Sequence, residues 1–392
     1  MKYLWPLAVL FLSNFLTAQE SENPLFSSFE EYKKAKENTP FQVKWISAGP
    51  VTNSARVEAL QGDPNQPGTM YVAFGSGNLW KTTNNGLDWK PIFENQPTLG
   101  IGDIAIAPSN SEILYLGTGE SLRKNRNFTM PGTGVYRSDD GGETWAHLGL
   151  ENTWHIGEIA VHPLNPDIVF VAAMGKFWSK STSKGIYRTT NGGKDWERVL
   201  YVNDDTRAND IVIAHSNPKI IYASMWENND DTNIVESVFG PNSGIYYSSD
   251  GGSNWKRSKN GLPDKPKIGR IGLAVSYQNA QKVYALIDNR NETEGNSAEV
   301  YQSMNGGVTW KRSHNDTLRI FPGNNIGWYF ADIYVNPKND EEIYSLGVRM
   351  AHSMDGGKTF RTVGGNIQHL QPSPAQTLHL DHCELWINPF NP

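Results

Sequence analysis

An eight-residue pattern, Ser/Thr-x-Asp/Asn-x-Gly-x-x-Trp/Phe, occurs six times in this 392-residue chain, at residues 82–89, 138–145, 189–196, 248–255, 303–310 and 353–360. Its closing aromatics are spaced by 56, 51, 59, 55 and 50 residues. A period of that length restricts the chain to repeat architectures, because each unit must bury a face against its neighbours. The pattern reads as a tight hairpin turn. Its Asp or Asn accepts turn amides, its Gly takes a backbone conformation other residues resist, and its aromatic packs beneath. Each turn follows a short strand such as Gly134-Val-Tyr-Arg-Ser. Upstream lie an apolar strand such as Ile168-Val-Phe-Val and a strand ending in a Pro or Asn turn, such as Glu158-Ile-Ala-Val-His-Pro163. Residues after the turn supply a fourth. Four short antiparallel strands per unit specify an all-β propeller.

Six complete blades are expected, with units starting near Trp45, Gly100, His155, Ala208, Ile268 and Trp328. A seventh starts at Glu384-Leu-Trp-Ile-Asn-Pro389, so the propeller is expected to be incomplete at its C-terminus and the chain truncated. With 37 Gly and 22 Pro spread along the chain and abundant aromatics, disorder and a helical rod are excluded. A net charge of −6 argues against a nucleic-acid partner, which needs a basic face. The single cysteine, Cys383, leaves no intramolecular disulfide.

The N-terminus has Lys2, an apolar run over residues 4–16 and a Leu-Thr-Ala step, which read as a cleavable export signal over residues 1–18. The run is shorter than the roughly 20 residues that span a bilayer. The expected organisation is therefore a signal at 1–18, a lead-in segment at 19–44 with a short helix, and the propeller at 45–392. A secreted or periplasmic location without a membrane span follows.

The turn resembles the Asp-box of sialidase-like (BNR) repeat proteins. Three longer stretches narrow the resemblance: Tyr115-Leu-Gly-Thr-Gly-Glu120, His155-Ile-Gly-Glu-Ile-Ala-Val-His-Pro163 and His379-Leu-Asp-His-Cys-Glu-Leu-Trp-Ile387. They are similar to secreted bacterial proteins with the sortilin-type N-terminal propeller, whose enzyme relatives are xyloglucanase-type glycosidases. The resemblance covers about residues 45–392 and implies the fold more strongly than any activity.

Blade topology puts the repeat turns on one face of the ring and the second-to-third-strand loops, with the blade connections, on the other. The turn carboxylates read as folding devices. The loop-rich face offers Glu120, Arg123, Trp154, Trp178, Trp226, Trp328 and Arg349 as ligand-binding candidates, since exposed aromatic platforms suit sugar rings or peptide side chains. Aligning the innermost strands on their closing turns gives a second set, Asp103, Glu158, Asp210, Arg270, Asp332 and Glu384, with Glu58 near that place in the first unit. These would ring one mouth of the central channel. So many acids together require pairing, backbone hydrogen bonds or a calcium-like ion; no other cofactor is expected. Arg270 is expected to lean on Asp210 or Asp332. His379, Asp381 and His382 form a metal set by residue type, although the family has a second histidine at the position of Cys383.

Two functional readings stand. One is a secreted scaffold, without catalysis, that binds an extracellular peptide, protein or glycan on the loop-rich face; an assembly factor for membrane complexes is not separable from it. The alternative is a xyloglucanase-like glycosidase with catalytic residues partly in a second propeller. The resemblance places one catalytic Asp beside an Asp-Ile-Gly-Gly run, where this chain has Gly75-Ser-Gly-Asn-Leu-Trp80 without the Asp.

Overall fold

The structure is a computed structural model that describes residues 23–39, 56–121, 129–177, 179–228, 238–291, 297–315, 318, 320–321, 326–363 and 381–390. Six four-stranded antiparallel sheets form a propeller ring, each sheet in simple sequence order from its innermost to its outermost strand. The innermost strands are Val57–Gly62, Ile101–Ile106, Ile156–Val161, Thr206–Ile213, Ile268–Val275 and Asp332–Asn336, and they neighbour one another in that order. One helix, Pro24–Glu37, precedes the ring. Asn23 caps it by accepting from the Leu25 amide at 3.1 Å, and its side-chain amide donates to the Gly132 and Glu151 carbonyls at 3.0 and 3.1 Å. This helix is the one expected in the lead-in. The export signal lies outside the described residues.

The repeat turn works as its residues require. In blade two, Asp140 accepts the Thr144 amide and hydroxyl at 2.8 and 2.6 Å, while the Ser138 hydroxyl accepts the Gly142 amide at 2.8 Å. Gly142 has φ +95°, a left-handed conformation that side chains disfavour.

Burial along the second strands separates the inner blades from the end blades. Strands Leu114–Thr118, Val169–Ala173, Ile221–Glu227 and Val283–Asn289 are buried at every residue, as sheets covered on both faces are. In Met70–Phe74 of blade one and Asn339–Leu346 of blade six, burial alternates.

A recurrent clasp joins successive blades. The second-strand aromatics Tyr71, Tyr115, Phe170, Tyr222 and Tyr284 are at most 1% exposed. Four of them donate a hydroxyl to a carbonyl of the next blade: Tyr71 to Gly141 (3.2 Å), Tyr115 to Pro166 (2.9 Å), Tyr222 to Ala280 (2.8 Å) and Tyr284 to Asp340 (2.8 Å). Phe170 has no hydroxyl, and there Arg188 on the third strand donates to the Gly251 carbonyl at 2.9 Å.

Residues 381–390 pack between the last and first blades. The Asp381 and His382 amides donate to Val348 and Gly347 of blade six. Tyr334 of the sixth innermost strand donates to Glu384 at 2.8 Å, and Trp386 sits against Gly62 of the first, where a Cβ would come within 2.1 Å of the indole.

Candidate functional site at the channel mouth

The channel mouth is built by a repeated irregularity in the innermost strands. Each of the first five has a register shift near its start: between Val57 and Ala59, Ile101 and Asp103, Ala208 and Asp210, Ile268 and Ile271, and opposite Ala172/Ala173 in blade three. A bulge bends the strand and re-aims the side chain after it. The backbones are then so close that a Cβ on Gly102 would lie 2.0 Å from the Ile156 carbonyl.

Asp103, Glu158, Asp210 and Asp332 share one register position, two residues before the partner of the second-strand aromatic. Arg270 does not. In blade five Ala274 pairs Tyr284, so Gly272 holds the equivalent place and Arg270 sits two residues earlier. Likewise Gln61 pairs Tyr71, which gives the place to Ala59 and leaves Glu58 on the bulge. Sequence alignment went astray because Arg270-Ile-Gly imitates Asp210-Ile-Val, whereas the register is counted from the hairpin.

Backbone amides of the following blade satisfy two of the acids: Ile159 donates to Asp103 at 2.6 Å and Leu273 to Asp210 at 2.8 Å. Arg270 pairs with Asp332 at 2.8 Å. Among the described residues Glu158 has no side-chain hydrogen bond and is half-buried. Burial, with the neighbouring carboxylates adding to it, pushes Asp103 and Glu158 well above the usual carboxylate range. Burial also lifts Asp210 to about 7 against the opposing Leu273 amide, and Tyr334 is raised by burial and by Glu384. The mouth therefore holds carboxyl groups raised by burial beside an arginine-paired carboxylate.

The other candidates fall in different places. Trp226 is fully buried, its indole N–H donating to the Val238 carbonyl at 2.9 Å, and it belongs to the core rather than to a surface platform. Trp328 is also buried, edge-on to Tyr329 with ring centroids 5.5 Å apart. Both close gaps between blades, where their area is worth more than in solvent. Glu120 is 1% exposed, ion-paired with Arg56 and accepting the Met130 amide at 3.2 Å, so it organises the loop from beneath. Trp154 keeps part of its surface, with the Lys176 ammonium 4.6 Å over its ring. Arg349 is half-buried. Arg123, Trp178 and His379 lie outside the described residues. No three His, Cys, Asp or Glu side chains gather to hold a metal among the described residues, and this applies to the channel-mouth acids as well as to Asp381 and His382.

The structure adds two features that residue type alone did not signal. A pocket of about 390 Å³ opens between blades two and three, lined by Leu150, Asn152, Thr153, Thr182, Ser183, Tyr187 and Arg198. Arg56, in ion-pair range of both Glu58 and Glu120, ties blade one to blade two.

Comparison with known proteins shows what this propeller resembles. The model described as sortilin, neurotensin receptor 3 (Sortilin-Vps10) matches residues 133–265. Xyloglucanase Xgh74A of Acetivibrio thermocellus is 25% identical over 357 residues, covering 73% of this chain and 39% of the relative. The propeller is thus similar to the sortilin type over residues 133–265 and to xyloglucanases over most of its length. Among solved structures, the GH74 xyloglucanase from Xanthomonas campestris superposes with a TM-score of 0.58 at 16% identity, over 86% of this chain and 49% of that one. An ancestral GH74 enzyme gives 0.58 at 21% identity, over 82% and 39%. At those identities the superpositions establish the propeller fold alone. The propeller thus spans less than half the length of the xyloglucanases it resembles. No helix among the described residues is long and apolar enough to cross a membrane.

Proposed function

We propose that the protein acts outside the cell on a xyloglucan-type polysaccharide, as the propeller of a glycoside hydrolase. The observation that carries this reading is the similarity to xyloglucanases along 73% of the chain, which favours it over a free scaffold. The channel mouth supports it chemically. Glycoside hydrolysis needs a carboxylic acid that retains its proton and a second carboxylate that is ionised. Glu158, whose carboxyl is pushed well above the usual range by burial and its acidic neighbours, is the proton donor in this reading, and Asp332, paired with Arg270, is the second carboxylate. Trp154 and the pocket between blades two and three extend the surface along which a glucan chain would lie. The export signal at 1–18 belongs to the same proposal.

The test is incubation of the purified protein with xyloglucan. Migration in xyloglucan-containing gels reports binding, and new reducing ends report cleavage. Retardation by xyloglucan and cleavage lost in Glu158→Gln are the expected results. Unchanged mobility together with no new reducing ends would end the proposal.

A further inference from the structure

One wall of the pocket between blades two and three is the connection Glu151–Thr153, a single 3-10 turn. Leu150 and Trp154 bracket it with φ of +60° and +59°, conformations that residues other than glycine hold only where their surroundings impose them. The Thr153 amide and hydroxyl both donate to the Leu150 carbonyl, at 3.0 and 2.7 Å, and Asn23 donates to the Glu151 carbonyl at 3.1 Å. The other wall is the loop between the second and third strands of blade three. Its Ser181 and Ser183 hydroxyls bond at 2.7 Å, and Tyr187 donates to the Ser183 carbonyl at 3.1 Å. The buried Lys184 ammonium ties the same loop to the Asp204 carbonyl at 2.7 Å. A pocket pinned on both sides is formed before anything enters it, which lowers the cost of binding.

The lining carries one charged side chain, Arg198. Its guanidinium lies 4.2 Å over the Tyr201 ring and donates to the Thr182 carbonyl, which fixes its plane. At the same repeat position Arg257 donates to two loop carbonyls of blade four, Pro241 and Ser243, at 2.8 Å each, so Arg198 keeps donors that its counterpart spends. Although the chain has 41 acidic residues, none lines this pocket. Glu197 and Asp205, on flanking segments, pair with Arg188 at 2.8 Å and Lys180 at 3.0 Å instead.

We propose that this pocket binds an acidic sugar, a hexuronate unit of a glycan, with its carboxylate on Arg198. A guanidinium held in one plane matches a carboxylate with two parallel bonds. Asn152, Thr153, Thr182 and Ser183 are neutral groups that can donate to sugar hydroxyls or accept from them, and Leu150 and Tyr187 offer apolar surface to the ring. The volume of about 390 Å³ is at the small end of ligand sites, about 300–1,000 Å³, and suits a sugar unit rather than a long segment. Trp154 directly follows Thr153, so the next unit of the same glycan has an aromatic ring to rest on. The proposal rests on the polysaccharide reading for the ligand being a sugar; the acidic unit is its addition, and the pocket takes no part in hydrolysis.

The test is titration calorimetry of the 392-residue chain with methyl glucuronide and, as its neutral counterpart, methyl glucoside. The glucuronide should bind at least about tenfold more tightly. Arg198→Gln should erase that preference, and Arg198→Lys, which keeps the charge but not the fork, should restore only part of it. Thr182→Trp, at an exposed residue of the lining, should block the glucuronide at an unchanged melting temperature, which keeps the test valid should Arg198→Gln loosen the loop. Glu158→Gln, which removes cleavage in the polysaccharide reading, should leave glucuronide binding unchanged, so the two readings fail separately. Equal affinity for the two glycosides, or a preference that survives Arg198→Gln, would overturn the proposal. So would displacement of the glucuronide by an equal concentration of acetate, because the pocket would then recognise a carboxylate and no sugar.

Discussion

The repeat turns and the channel mouth both concentrate carboxylates, and the fold treats the two sets in opposite ways. At the turns, the Thr144 hydroxyl and amide hold Asp140 down to about 2, and Asn254 and Thr359 do the same for Asp250 and Asp355. At the mouth, burial pushes Asp103 and Glu158 far up and Asp210 to about 7. The residue type is shared; the donors and the water are not. A turn carboxylate collects local hydrogen bonds and stays wet, so ionisation is favoured. A mouth carboxylate is desolvated with several like charges nearby, which outweigh the amides of Ile159 and Ile104 at Asp103 and of Leu273 at Asp210, so the protonated form is favoured. Their surroundings therefore shift the two sets of carboxylates in opposite directions.

The contrast can be broken most forcefully at the aromatic end of a turn. Trp310 is 5% exposed, and Trp310→Ala should cost about 3–5 kcal/mol in urea unfolding, as truncation of a large buried aromatic does. Trp196, half-buried, should lose less, about 2 kcal/mol, because part of its indole stays in solvent. Equal losses at both sites would mean that the turns are not graded by burial. At the mouth, Asp332→Ala should cost about 3 kcal/mol, because it leaves the buried Arg270 guanidinium without its counter-charge. A variant that melts like the parent would show that the pair does not hold the mouth together.

The six blades were legible because the turn motif is local. Ser138, Asp140, Gly142 and Trp145 make their key contacts within a few residues or with the adjoining blade, so a one-dimensional pattern captures them. Arg270 leaning on Asp332 was legible for a similar reason, since both lie near the starts of consecutive innermost strands. Its register was not, because a bulge two residues long cannot be told from a regular strand when Gly269 and Gly272 flank it. The tryptophans misled more. Trp226 sits at the end of a second strand and Trp328 in a short 3-10 turn, but that both turn inward is decided by distant residues of their shared core, such as Met174, Phe177 and Leu286. The pocket between blades two and three has no motif, being assembled from a connection, a loop and two outer strands.

The raised carboxylates set a pH dependence whose sign follows from their direction. Asp210, with an ordinary value of 3.8, is lifted to about 7 in the fold, so the native state binds the extra proton between those limits. Its contribution to stability is fully present below about 3.8 and is lost as pH rises through about 7. Asp210→Asn keeps an oxygen for the Leu273 amide and removes the titration. The variant should therefore be more stable than the parent at pH 8, on the order of 2 kcal/mol, with the difference shrinking toward pH 4. Thermal melts across that range are the measurement, and a variant that is weaker than the parent at pH 8 would sink the assignment.

The smallest effect belongs to the turns, and it should have the opposite sign. Asp140 is lowered from 3.8 to about 2, so its contribution is present above the ordinary value and fades as pH falls through about 2. The repeat itself shows what Asn does at this place. Where the turn has Asn, the residue four positions on is an acceptor: Asn84 donates to Asp88 and Asn191 to Asp195, both at 2.8 Å, and Asn305 donates to the Thr309 hydroxyl at 2.8 Å. Where it has Asp, that residue is a donor, as Thr144, Asn254 and Thr359 are. Thr144 can play either part, so Asp140→Asn keeps the bond in the manner of Asn305 and loses only the charge. Because this turn faces solvent, the loss at pH 7 should stay below about 1 kcal/mol. The gap between parent and variant should close between about pH 4 and pH 2 in acid titrations of stability. A gap that persisted at pH 2 would place the turn's contribution in packing rather than in its carboxylate, and the contrast with the channel mouth would no longer be one of protonation.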